Sequence, residues 1–101
     1  MWMMVVFDLP VTEIEPRKAA NRFRLFLKDL GFEMAQFSVY VRHTPGKEAI
    51  QSLLSKIEAA LPAEGKIDIL QFTDKQYERI ISFRGRCRGP DKKAPNQYEM
   101  F

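Results

Sequence analysis

The chain has 101 residues, 46% of them hydrophobic and 29% charged, with a formal net charge of +3 and one cysteine. That length accommodates one compact domain with a modest core, and a lone Cys87 excludes an internal disulfide and a thiolate metal cluster. No apolar run is long enough to cross a bilayer. The apolar start lacks a basic leader and a small-residue cleavage site, so it is expected to be a strand of a cytoplasmic protein with no membrane partner.

From Trp2 to Phe7 the chain is apolar without a break, so both faces of this first strand need cover. Asp8 follows at the strand's end, and Pro10 forbids continuation of the ladder. A carboxylate placed between a buried strand and a loop suits a magnesium ion or a catalytic group at a rim; capping of a turn is its plainer role. Thr12 to Pro16 opens a helix, with proline suited to the first turn and Glu13 and Glu15 at the positive end of the dipole. The helix is expected to run to about Leu30 and stop at Gly31. Ala19, Ala20, Phe23, Phe26, Leu27 and Leu30 form its apolar stripe. Arg17, Asn21, Arg24 and Lys28 are placed on the opposite side, a basic ridge of the kind that is usually a solvated face, though its lack of an acid to pair with adds weight to an anionic partner.

Phe32 to Arg42 reads as a strand in which Ala35, Phe37, Val39 and Val41 alternate with polar residues. Phe32 and Met34 are in the opposite phase, so a bulge or change of environment is expected near Ala35. Thr44 and Pro45 are expected as N-cap and first residue of a second helix, whose core stripe is Ile50, Leu53, Leu54, Ile57 and Leu61 and whose end is marked by Pro62. Two short strands follow, Lys66 to Phe72 and about Glu78 to Phe83, separated by a tight turn or one helical turn over Thr73 to Tyr77. Read as strand, helix, strand, strand, helix, strand, the chain fits an α+β ferredoxin-like fold: four antiparallel strands with both helices on one face. The other sheet face would then expose apolar side chains, and a homodimer through the sheet would cover them.

The charge divides the chain. Residues 1–83 hold 11 Lys and Arg against 11 Asp and Glu, whereas residues 84–101 hold Arg84, Arg86, Arg88, Lys92 and Lys93 against Asp91 and Glu99. A ferredoxin-like domain over 1–83 therefore carries a basic tail, which suits a phosphate-backbone partner or is simply solvated. Tyr98, Met100 and Phe101 at its end could form a late strand, on this sheet or on a partner's.

Catalytic chemistry has few candidates. His43 is the single histidine, Cys87 lies in the tail, and no HxxxH, CxxC or glycine-rich phosphate loop is present. Asp29, Glu48, Glu58, Asp68 and Asp74 read as solvated or ordinary ion-pair groups. Magnesium needs only one or two carboxylates besides waters and substrate phosphates; Asp8 supplies one, and a twofold axis near the strand ends would supply a second.

Phe7-Asp8-Leu9-Pro10 after a buried strand, Arg17 at the helix start, and Gly31-Phe32 ahead of Gln36-Phe37-Ser38-Val39-Tyr40-Val41-Arg42 follow one another in a characteristic order and spacing. Over residues 1–83 the chain resembles CRISPR-associated protein two, the small subunit of the adaptation machinery of bacterial CRISPR immunity. The resemblance implies a homodimer that bridges two dimers of the integrase subunit and holds a double-stranded DNA prespacer. It also implies metal-dependent cleavage of RNA or double-stranded DNA, with Asp8 as magnesium ligand and catalytic carboxylate. On this reading Arg17, Arg24, Lys28, Arg42, Arg84, Arg86 and Arg88 contact phosphates, and Tyr98, Met100 and Phe101 dock on the integrase. A toxin-like metal-dependent endoribonuclease and a ferredoxin-like regulatory module are the alternatives from other classes.

Overall fold

The computed structural model describes residues 1–85 and the backbone of Cys87 and Arg88. The unbroken apolar run forms β1 (Trp2–Asp8). After it come α1 (Ile14–Asp29), β2 (Glu33–Gln36), β3 (Val39–His43), α2 (Lys47–Ala59) and β4 (Lys66–Phe72). The sheet order is β2-β3-β1-β4, antiparallel at every step, which is the expected ferredoxin-like arrangement. A short helix α3 (Asp74–Glu78) and a separate hairpin of β5 (Phe83–Arg84) and β6 (Cys87–Arg88) extend the chain. Arg86, Tyr98, Met100 and Phe101 lie outside the described residues.

The alternation of β1 sends its two apolar sets to opposite faces. Met3, Val5 and Phe7 are buried on the helix side among Ala20, Phe23 and Leu27 of α1 and Ile50, Leu53 and Ile57 of α2. Phe7 meets Phe23 edge-on at 5.5 Å and stacks on Tyr40 at 5.7 Å. Each such side chain contributes roughly 1.5–3 kcal/mol by leaving water. α1 ends as expected at Gly31, whose φ of +90° lets the Gly31 and Phe32 amides donate to the carbonyls of Lys28 and Leu27 at 2.9 and 3.0 Å.

Four expectations are corrected. Phe32–Arg42 is two strands rather than one, because Ser38 turns the chain at φ +63°; the bulge expected near Ala35 is present, as a register shift between Met34 and Gln36. This hairpin is the source of the two adjacent strands in the fold. Thr44 does not cap α2, whose N-cap is Gly46; it is fully buried, and its amide and hydroxyl both donate to the Met1 carbonyl at 2.7 and 3.2 Å. Leu61, expected in the α2 stripe, is 48% exposed because the helix has ended at Ala59. Of Glu78–Phe83, expected as a strand, only Phe83 lies in one, β5, and Glu78 closes α3, the helical turn expected after Thr73. A capping box at Thr73 favours the helical alternative, the Thr73 hydroxyl accepting from the Gln76 amide at 3.1 Å and the Gln76 side chain accepting from the Thr73 amide at 2.9 Å.

α3 covers one end of the sheet face that the helices leave open. Tyr77 is buried there, stacked on Trp2 at 4.0 Å and 8°. Beyond that end the face carries Met4 and Val6 of β1, with Leu70 directly across from Met4 and 39% exposed. Replacing Thr73 by Ala is expected to cost about 1 kcal/mol and to loosen Tyr77 from Trp2. Fluorescence of Trp2, the one tryptophan of the chain, reads this directly; unchanged emission with unchanged stability would contradict it.

Candidate functional site at the Asp8 rim

β1 places Asp8 in solvent at its C-terminal end, across from Lys66, the first residue of β4. Two turns hold this strand end. The Phe7 amide donates to the Ser38 carbonyl at 3.0 Å, which brings the β2–β3 turn alongside. On the other side Gly65 has φ +103°, and a Cβ there would lie 2.8 Å from the Asp8 carbonyl oxygen. Asp8 is therefore an exposed carboxylate on a tightly held backbone. Among the described residues no three His, Cys, Asp or Glu side chains are gathered into one group. Asp68, two residues from Lys66 along β4, is engaged with Lys66 Nζ at 3.6 Å.

The basic residues are distributed differently from the ridge expected. Arg17 and Lys28 are exposed on α1. Arg24 is half-buried at the flank of the core, not opposite it: its guanidinium carbon lies 5.7 Å from the centre of the Phe7 ring. Its Nη1 donates to Asn21 Oδ1 at 3.1 Å, while its buried Nε has no hydrogen-bond partner. Burial pushes the Tyr40 hydroxyl above its ordinary value, and the nearby Arg24 charge opposes that rise; Tyr40 is thus a neutral group and no proton acceptor. Arg42 projects to the helix side of the sheet and donates from Nη1 to the Leu30 carbonyl at 2.7 Å, closing the end of α1. Arg84 is exposed in the C-terminal hairpin. Arg88 is described by its backbone alone, and Arg86 with Tyr98, Met100 and Phe101 falls outside the described residues. His43 pairs with Asp74 at 3.4 Å and meets the edge of Trp2, at the opposite end of β1 from Asp8.

A cleft of about 770 Å³ opens between α1 and the segment joining α2 to β4, with Leu9, Phe23, Phe26 and Leu61 in its wall. Glu13, Glu15 and Glu64 line it as well, against Arg22. Three carboxylates against one cation make this cleft unfavourable for a phosphate backbone. The residue that sequence reasoning misses at the Asp8 rim is Phe37. Alternation assigns it to the apolar phase of a strand, yet it is 78% exposed beside Ser38. The phase break near Ala35 is the one signal of this in the chain.

A one-sided ferredoxin-like sheet with a single carboxylate at the end of its central strand defines a small α+β protein with a solvent-facing rim. Residues 1–80 match the family model of CRISPR associated protein Cas2, and the chain belongs to that CRISPR-associated family. It is 55% identical over its full length to a CRISPR-associated endoribonuclease Cas2 of Paracidovorax avenae, covering 94% of that protein. It is 39% identical to proteins of the same name from Parvibaculum lavamentivorans, covering 100%, and Flavobacterium psychrophilum, covering 88%. No helix among the described residues is long and apolar enough to cross a membrane.

Proposed function

We propose that this chain works in the cytoplasm as a homodimeric scaffold of CRISPR adaptation, bridging two dimers of the integrase subunit and holding a double-stranded DNA prespacer. The observation that carries this reading is the one-sided sheet. Met4, Val6 and Leu70 lie on the face away from α1 and α2, and a second copy laid on that face would remove their apolar surface from water. Arg17, Lys28 and Arg84 supply phosphate contacts blind to sequence, joined by the remaining donors of Arg24 and Arg42 and by Arg86 and Arg88. Tyr98, Met100 and Phe101 dock on the integrase subunit as an added strand.

A second reading, a magnesium-dependent endonuclease, is favoured by the exposed Asp8 carboxylate and by the endoribonuclease names of the relatives. A lone carboxylate suits an ion that keeps most of its waters. One chain then provides half of a two-carboxylate site, and a second copy provides the other half. Bound magnesium would neutralise charge on a phosphodiester and acidify an attacking water. Asp8 stands exposed on a strand end whose backbone is held by two turns, while His43, the one candidate base, sits at the far end of β1. The chain's own residues thus favour binding over turnover.

Asp8→Asn separates the two readings. Magnesium-dependent cleavage is expected to fall roughly hundredfold or more, with spacer acquisition in cells retained. Acquisition lost along with cleavage would overturn the scaffold, and undiminished cleavage would overturn the nuclease. In the same assay Leu70→Asp should shift the molar mass in solution toward a monomer and abolish acquisition.

A further inference from the structure

We infer that Phe37 is a platform on which an unpaired nucleobase stacks beside the Asp8 rim. Of the large apolar side chains in the described residues, Phe37 is the most exposed, at 78%, although it stands in a run that otherwise supplies strands and core. Its backbone is held firmly. Ser38 at φ +63° makes the turn, the Phe7 amide donates to the Ser38 carbonyl at 3.0 Å, and Val6 pairs with Val39. This register carries the Phe37–Ser38 turn to the Phe7–Asp8 end of β1. The ring in solvent offers a face for a base, and Arg24 is a cation held against Phe7 at the same end of β1. Stacking tolerates any base, because every base has a π-face, and it requires a strand that is not fully paired. The occupant is therefore single-stranded nucleic acid or the frayed end of a duplex.

The inference rests on the nucleic-acid reading above, and the test separates them. Wild type, Phe37→Ala, Phe37→Leu and Phe37→Trp are titrated without magnesium, so that nothing is cut. The probes are a short single-stranded oligoribonucleotide, the matching oligodeoxyribonucleotide, an abasic version of the latter, and a duplex. Phe37→Ala and Phe37→Leu are expected to weaken single-strand binding roughly five- to hundredfold, whereas Phe37→Trp keeps it and is quenched by strands that carry bases. The abasic strand should bind all four proteins alike without quenching. Loss with the RNA, the DNA or both supports the platform and identifies the sugar tolerated. If Phe37→Ala binds single strands as wild type does, the platform is overturned while duplex binding leaves the scaffold standing. If wild type binds neither strand nor duplex, both readings fall. A change of molar mass in Phe37→Ala, restored by Leu, would assign the ring to a protein contact and overturn the platform.

Discussion

Phe23→Ala is expected to destabilise the fold by about 3–5 kcal/mol. Phe23 is 2% exposed, and its ring meets the edge of Phe7 at 5.5 Å, tying α1 to the central strand. The truncation removes the buried ring and leaves a hole that α1 cannot close, since Ala20 and Leu27 on the same stripe are already in full contact with the sheet. Against a total of roughly 5–15 kcal/mol for a domain of this class, much of the margin disappears. Urea unfolding should show a lower midpoint at nearly constant slope. A loss under about 1 kcal/mol, less than a typical buried side chain contributes, would mean that the α1–sheet contact matters little.

Gly65→Ala should be nearly as damaging, for a different reason. The residue has φ +103°, and its Cβ would lie 2.5 Å from Leu9 Cδ2, 2.8 Å from the Asp8 carbonyl oxygen and 3.2 Å from Leu9 Cα. The Leu9 side chain can rotate aside; the backbone of Asp8 and Leu9 cannot move without disturbing the end of β1. Left-handed strain and overpacking together are expected to cost about 2–4 kcal/mol. Because the displaced atoms belong to Asp8, any magnesium-dependent cleavage should fall further than stability alone accounts for, when measured at a temperature where the variant is still folded. Wild-type stability with wild-type cleavage would show that the strand end accommodates a methyl group. Gly46→Ala is the control, since an added Cβ there would meet no atom within 4 Å and the φ of 174° is ordinary extended backbone.

Much of this is legible in the chain. The apolar run before Asp8 declares a central strand, the 3- and 4-residue spacing from Ala20 to Leu27 declares α1, and Gly31 declares its end. Each of these is decided by residues within a turn or two of one another, through side-chain period and terminal hydrogen bonds. The carboxylate at the strand's end can be singled out for the same reason, as can its lack of a neighbouring histidine.

Other features depend on what lies across the fold. Thr44 has the chemistry of an N-cap, but Met1 offers its carbonyl from the neighbouring strand and takes both Thr44 donors. Arg24 and Arg42 have the spacing of a solvated basic ridge and a strand end, yet one lies along Phe7 and the other closes α1 at Leu30. Glu78 to Phe83 reads as a short strand on its own residues, and the Thr73–Gln76 box with the Trp2–Tyr77 stack draws its beginning into α3 instead.

The sequence by itself determined the fold class, the apolar faces of β1, α1 and α2, the lone carboxylate and the uneven placement of charge, because period, caps and charge are properties of neighbouring residues. Tertiary structure alone decided where the 32–42 stretch breaks, that Phe37 leaves the core for the Asp8 rim, and which arginines remain open to solvent. Those outcomes turn on the pairing of Val6 with Val39 and of Phe7 with Ser38, contacts between residues far apart in the chain whose register no local period specifies.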